Sequence, residues 1–252
     1  MTTPRKKPRD DADSPWKDGL GSFLPDFLQL FFPAIWAEVD WSRGWTALDK
    51  ELQRITPTSA IGKAVCDRLF RVHLKCGGER WILIHVEVQG KRDKDFPRRM
   101  FVYSYRLFDL YGTFATSLAV LTDASPRWRP KGLANEMFGC RLSFEFPVVK
   151  LLDWENRMVE LETSTNPFAF FVLAQIRAIR TGRDRNLRLH WKKEMAHLLF
   201  ERGFAPETAR QLLRFLDWLL ILPKTVNQGF WAEIQNLKEK HMPYLMQPEK
   251  DA

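Results

Sequence analysis

The sequence predicts an α/β fold, a mixed sheet with flanking helices followed by an all-helical C-terminal region, and three observations carry that prediction. Two strand-like stretches, 65–72 and 81–90, alternate apolar and polar residues around the turn signal Gly77-Gly78. A mostly continuous apolar run at 117–122 follows a helix-like segment, as a strand covered on both faces would. From about Asn156 onward the apolar period becomes helical and stays so.

Taken in order, residues 1–13 mix basic and acidic residues with prolines and almost no apolar content, so a disordered tail is expected. Ser14-Pro15 reads as an N-cap followed by a first-turn proline. Beyond it Leu20, Phe23, Leu24, Phe27, Leu28 and Phe31 form one apolar stripe, interrupted near Pro25 and ended or restarted at Pro33. The stretch 48–55 fits helix or strand. Asp95, Phe96 and Pro97 open a helix that closes at Gly112. On it Phe101, Tyr105 and Phe108 are expected to face the core, with Arg99, Tyr103 and Arg106 on another face. A turn-rich stretch with Pro126 and Pro130 leads to a candidate strand at 141–149, where Pro147 points to an edge or a strand end. Four helices are expected at 166–181, 186–202, 206–222 and 225–240, punctuated by Gly182, Gly203 and Pro223. The expected organisation is a tail at 1–13, a core at 14–153 and a helical region at 154–245.

Composition narrows the function. With 252 residues and a net charge of +8 the chain favours a polyanionic partner, nucleic acid above all. Three cysteines without Cys-x-x-Cys spacing argue against zinc and against a disulfide framework. The N-terminus lacks an apolar leader, and no apolar run reaches the roughly 18 residues of a membrane span. A cytoplasmic protein with no membrane partner is the expectation.

The chemistry-bearing residues sit in the hairpin. Ile82, Ile84, Val86 and Val88 form one row, and His85, Glu87 and Gln89 the opposite one; Phe70, Val72 and Leu74 share a face, with Asp67, Leu69 and Arg71 on the other. A two-residue Gly77-Gly78 turn would split the apolar row across both faces. A three-residue loop over Cys76, Gly77 and Gly78 opposes Lys75 to Glu79, and therefore Asp67 to Glu87. Two carboxylates about 5 Å apart at Cβ repel unless a cation lies between them, and hard oxygens suit Mg²⁺ or Mn²⁺. The other reading of the same pattern is the solvated face of an amphipathic hairpin.

Several phrases in this order resemble a known family: Asp13-Ser14-Pro15-Trp16-Lys17-Asp18, Asp40-Trp41-Ser42-Arg43-Gly44, Leu48-Asp49-Lys50-Glu51-Leu52-Gln53, Ile84-His85-Val86-Glu87-Val88-Gln89-Gly90, Phe101-Val102-Tyr103-Ser104-Tyr105-Arg106 and Leu121-Thr122-Asp123, then more weakly Phe146 to Asp153. The chain resembles the PD-(D/E)XK restriction-like nuclease superfamily, and within it the Rpn family of recombination-promoting nucleases and transposase-like proteins. That resemblance implies a restriction-endonuclease-like core and a Mg²⁺- or Mn²⁺-dependent DNA endonuclease linked to recombination or mobile elements. It further implies Asp67, Glu87 and Gln89 as catalytic residues, with Asp67, Glu87 and Asp18 around the metal. Gln89 stands where the superfamily usually has lysine, and an amide carries neither a positive charge nor a proton at neutral pH. Nucleophile activation then falls mainly on the metal. Arg99 and Arg106, on the helix after the Glu-x-Gln strand, are candidate phosphate contacts or a solvated helix face. A rival expectation is a DNA-binding protein that keeps the fold without turnover, the helical half serving as an interaction or homodimerisation module.

Overall fold

The computed structural model describes residues 15–55, 65–87, 93–182 and 184–241, with the backbone alone at 65–67, 85–87 and 236–241. The expected tail and the Ser14 cap lie outside the described residues. The fold is mixed α/β, and the chain divides into two compact units, Met1–Trp154 and Glu155–Ala252.

The first unit begins with the apolar stripe, cut into three helices by its prolines: α1 (Pro15–Ser22), α2 (Leu24–Phe31) and α3 (Pro33–Glu38). Pro25 and Pro33 each occupy the first turn of a new helix, where a missing N–H costs nothing. All six stripe residues are buried. A short strand β1 (Trp45–Ala47) leads to α4 (Asp49–Ile55), which settles the ambiguous stretch as helix. Then follow β2 (Val65–His73), β3 (Glu79–Glu87), α5 (Phe96–Tyr111), β4 (Ala115–Leu121), β5 (Gly132–Met137), β6 (Cys140–Glu145) and β7 (Val148–Lys150). The main sheet has the order β1-β2-β3-β4-β7. Its first three strands are an antiparallel meander, whereas β3, β4 and β7 run parallel.

Both sheet faces are covered. On one, Leu69 and Leu83 pack with Leu48, Leu52 and Ile55 at α4 and with Tyr103 and Leu107 of α5. Farther along the same side Ala119 and Leu121 meet Phe96, Met100 and Phe146. On the other face Phe70, Val72, Ile82 and Ile84 are buried. There β1 sets Trp45 opposite Val72, and its indole donates to the Gly21 carbonyl of α1 at 3.3 Å.

The hairpin register differs from the expected one by two residues. The loop is three residues long with a left-handed glycine, but it spans Lys75, Cys76 and Gly77: Leu74 N–H donates to Gly78 O at 3.1 Å and Gly77 N–H to Leu74 O at 3.0 Å. Gly77 has φ 95°. His73 therefore pairs with Glu79, and Asp67 with His85 rather than Glu87. A shift of two keeps every side chain on its face, so hydrophobic patterning is blind to it. The decision comes from outside the hairpin. Leu74 bridges to Val39, Lys75 N–H donates to Glu38 O, and Asp40 N–H donates to His73 O. The chain leaving α3 thus holds Leu74 as strand and leaves Lys75 to the loop.

Two further expectations are corrected. Helix α5 starts after Asp95 and closes at Gly112 as expected, but its buried side carries Phe96, Arg99, Met100, Tyr103 and Leu107. Phe101 is half-buried, while Tyr105 and Phe108 are exposed. Both stripes are apolar at the same spacing, and the sheet beneath α5 chooses between them. The expected strand at 141–149 is two strands broken at Pro147, with β6 in a separate hairpin with β5 and β7 in the main sheet. Strand β5 falls in the stretch read as turn-rich. Its connection to β6 is the two-residue turn Phe138-Gly139, both at positive φ (51° and 81°). That is the type I′ hairpin geometry, usually announced by Asn-Gly, and Phe-Gly hides it.

Gly112 has φ 63°, and an added Cβ there would meet nothing within 4 Å. Gly112→Ala is therefore expected to cost about 1 kcal/mol from backbone strain alone. A thermal melt should show it as a drop of a few degrees, with no change of fold by circular dichroism.

The second unit comprises α6 (Met158–Thr163), α7 (Pro167–Thr181), α8 (Arg185–Glu201), α9 (Pro206–Leu219) and α10 (Lys224–His241). Asn166 caps α7 through Phe168 N–H at 2.8 Å, and Asp184 caps α8 through Asn186 and Leu187 N–H. Residues 168–176 of α7 are all buried, the signature of a central helix. Lys192 of α8 is fully buried, its Nζ 2.6 Å from Asp217 Oδ1 of α9 and 2.8 Å from Asn227 Oδ1 of α10. Burial pushes its pKa down, and Asp217 partly offsets this. Asp217→Asn should cost about 2 kcal/mol, the worth of a hydrogen bond to a charged group. Urea denaturation would read this as a lower midpoint at unchanged slope.

Candidate functional site

Three neighbouring strands, β3, β4 and β7, run parallel, so their carboxyl ends lie at one edge of the sheet. Glu87 pairs with Leu121, and Leu121 with Lys150, forming one row across that edge. In open α/β sheets this edge is where ligands bind. Position 87 closes β3, and position 67 lies diagonal to it in the ladder, since Val65 pairs with Glu87 and Asp67 with His85. Both positions have the parity of Leu69 and Leu83, the side occupied by α4 and α5. Diagonal neighbours are about 7–8 Å apart at Cα, against about 5 Å for the direct opposition expected from sequence. The direct neighbour of Asp67 is a histidine position.

The start of α5 lies over this edge, because Leu121, next to position 87, packs with Phe96 and Met100. Here the buried Arg99 holds its Nη1 2.5 Å from Asp93 Oδ2, and its guanidinium lies 5.5 Å from the Phe96 ring. On the strand side, Lys150 and Asp123 form an ion pair with both side chains 1% exposed. Asp123 also accepts from Ser125 N–H at 2.8 Å, and the Lys150 ammonium lies 5.7 Å from the Trp128 ring. Burial pushes the Lys150 pKa down, with the Asp123 carboxylate opposing it. Nearer the surface Arg129 makes a two-pronged contact with Asp153, Nη1 to Oδ2 at 2.6 Å and Nη2 to Oδ1 at 2.5 Å. That hydrogen bonding holds the Asp153 carboxyl below its usual range.

The residues singled out from sequence are thus distributed unevenly. Backbone register gathers Asp67 and Glu87, while Gln89 lies outside the described residues. Asp18 is exposed on α1, the helix that packs on the Phe70 and Val72 face, opposite to the parity of position 67. Arg106 is half-buried and donates from Nη1 to Ile55 O at 2.7 Å, tying down the last turn of α4. Arg99 is engaged with Asp93. Of these two candidate phosphate contacts Arg99 lies on the buried side of α5 and Arg106 is half-buried, so they do not form the solvated helix face that is the other reading. Among the described residues no group of three or more His, Cys, Asp or Glu is gathered to hold a metal. No sequence signal assigns the buried Asp123–Lys150 pair. Its two halves lie in the phrases Leu121-Thr122-Asp123 and Phe146 to Asp153, but 27 residues of separation hide their contact.

No family model, curated protein or solved structure matches this chain. Among the described residues no helix is long and apolar enough to cross a membrane.

Proposed function

We propose that the chain is a divalent-metal-dependent DNA endonuclease that hydrolyses phosphodiester bonds, with Asp67 and Glu87 at its centre. The observation that carries this reading is the register. Two acidic residues occupy same-parity, diagonal positions where three parallel strands end. The order of antiparallel meander, helix α5 and then β4 parallel to β3 supports a restriction-endonuclease-like core, the fold implied by the sequence resemblance.

The donor set fits the ion. Mg²⁺ is commonly held by one or two carboxylates, with waters and substrate phosphates completing its shell, and hard oxygens are what Asp67 and Glu87 supply. Asp67 and Glu87 would hold such an ion and Gln89 would offer its amide to orient water; when bound, the ion would lower the pKa of a water ligand and offset charge on the phosphoryl and leaving oxygens. The net charge of +8 favours DNA at the surface. A fold that binds DNA without turnover is the second reading, favoured by glutamine at position 89.

The deciding experiment is nicking of supercoiled plasmid in Mg²⁺ or Mn²⁺ by wild type and Asp67→Ala. Nicking by wild type alone sustains the proposal. Equal nicking by both would place the activity elsewhere, and DNA binding without any nicking would leave the second reading.

A further inference from the structure

We infer that the outer face of α5 together with the apolar face of the β5–β6 hairpin is a homodimer interface. This inference is independent of the proposed activity and rests on surface that is exposed among the described residues. The hairpin is amphipathic. Leu133 pairs with Phe144 and Asn135 with Leu142, so Leu133, Met137, Leu142 and Phe144 share one face. The opposite face carries Ala134, Glu136, Arg141 and Ser143, with Arg141 Nε 2.8 Å from Glu136 Oε2. Alternation of this kind specifies a buried side.

On that side Leu133 and Phe144 are half-buried, while Asn135, Met137, Cys140 and Leu142 are exposed. Near its base Phe144 meets Phe101 of α5 at 5.7 Å, and Phe96 meets Phe146 at 5.8 Å. These two contacts align helix and strand, since five helical residues advance about 7.5 Å and two strand residues about 6.6 Å. At that pace Leu142 falls level with positions 105–106 of α5, and Phe108 lies farther toward the tip, which the described residues leave exposed. There Met137 is 61% and Phe138 99% exposed, and on the helix side Tyr105 is 52% and Phe114 66% exposed. Phe108 stacks on Phe114 at 4.1 Å, forming a flat aromatic platform.

Area decides what this strip is for. Six large apolar side chains exposed to this degree present on the order of 700 Å². That exceeds the roughly 300–600 Å² of the largest patch on an ordinary monomer, and approaches the ~800 Å² that each partner contributes to a standard interface. Phe138 also sits at φ 51°, a conformation that disfavours a bulky residue by about 1–2 kcal/mol. An exposed, strained phenylalanine is doubly unfavourable in an isolated chain.

Charge selects the occupant. The hairpin at 131–145 carries Lys131, Arg141, Glu136 and Glu145, and the exposed side of α5 carries Arg98 and Asp109, so the positive and negative charges of the strip balance in a chain of +8. Neither DNA nor an anionic membrane is drawn to such a strip. A second copy is, because the strip holds both a protruding knob, Phe138, and a platform, Phe108 on Phe114. A two-fold axis lets each copy supply one to the other.

The test is the mass of the full chain by light scattering and sedimentation at micromolar concentration. Wild type should show twice the 29.7 kDa chain mass. Phe138→Asp and, separately, Phe108→Asp should weaken association about 30-fold or more, with the far-ultraviolet circular dichroism of the folded chain retained. Val226→Asp, on the exposed surface of α10, should leave the dimer intact. A single-chain mass for wild type would overturn the inference. So would a dimer that survives both aromatic substitutions or dissolves only on Val226→Asp, and so would binding of monomeric wild type to phosphatidylserine vesicles that Phe138→Asp abolishes.

Discussion

Asp67→Ala and Glu87→Ala are each expected to reduce Mg²⁺-dependent plasmid nicking by about 10²–10³-fold, the usual effect of removing one preorganised electrostatic contributor from a hydrolytic site. The double variant should be little worse than either single one, because groups that hold one ion act as a unit. Quenched time courses at saturating plasmid would measure this, with DNA binding in Ca²⁺ as the control for folding and affinity. Register sharpens the expectation. His85 is the direct ladder partner of Asp67, so His85→Ala should lower the rate measurably. Asp18 lies on a helix packed against the other sheet face, so Asp18→Ala should stay within about two-fold of wild type, well below the ~1.4 kcal/mol that a factor of ten represents. A large loss on Asp18→Ala with none on His85→Ala would refute the placement of the site on the α5 side of the sheet.

Asp123→Ala is expected to cost about 3–5 kcal/mol of stability, because it strands the Lys150 ammonium in a site where its side chain is 1% exposed. The double variant Asp123→Leu with Lys150→Met should recover most of that loss, since two well-packed apolar chains carry no buried charge. Urea unfolding followed by fluorescence would separate the two outcomes. The pH dependence has a definite sign. Burial lowers the folded-state pKa of Lys150 below 10.5, so the unfolded chain binds more protons as pH approaches that value. The penalty for burying the charge is present below the folded pKa and fades as pH rises through it. Stability should therefore climb between neutral pH and 10.5, more steeply in Asp123→Asn, where the opposing carboxylate is gone. A loss of stability over that range in Asp123→Asn would refute the assignment.

How much was legible varies residue by residue. The apolar stripe from Leu20 to Phe31 was readable because burial follows a 3.6-residue period, and its breaks were readable because Pro25 and Pro33 act within one turn. The limits of α5 were readable from Phe96-Pro97 and Gly112, again local signals. Which side of α5 is buried was not, because two apolar stripes compete and only the sheet beneath chooses. Strand β5 was hidden because Phe138 occupies a turn position where asparagine or glycine would have announced the hairpin.

The candidate site divides in the same way. Sequence by itself determined the mixed α/β character, the parity of the β2 and β3 residues and the acidic chemistry of Asp67 and Glu87, because a strand's two-residue period is a property of its own backbone. Tertiary structure alone decided that Asp67 faces position 85 and stands diagonal to 87, that β3, β4 and β7 end in one row, and that Lys150 closes on Asp123. The physical reason is that register and pairing are set by contacts distant in sequence, here the grip of Val39 and Glu38 on Leu74 and Lys75. A two-residue slide leaves every local preference satisfied, so nothing short of those distant contacts could choose.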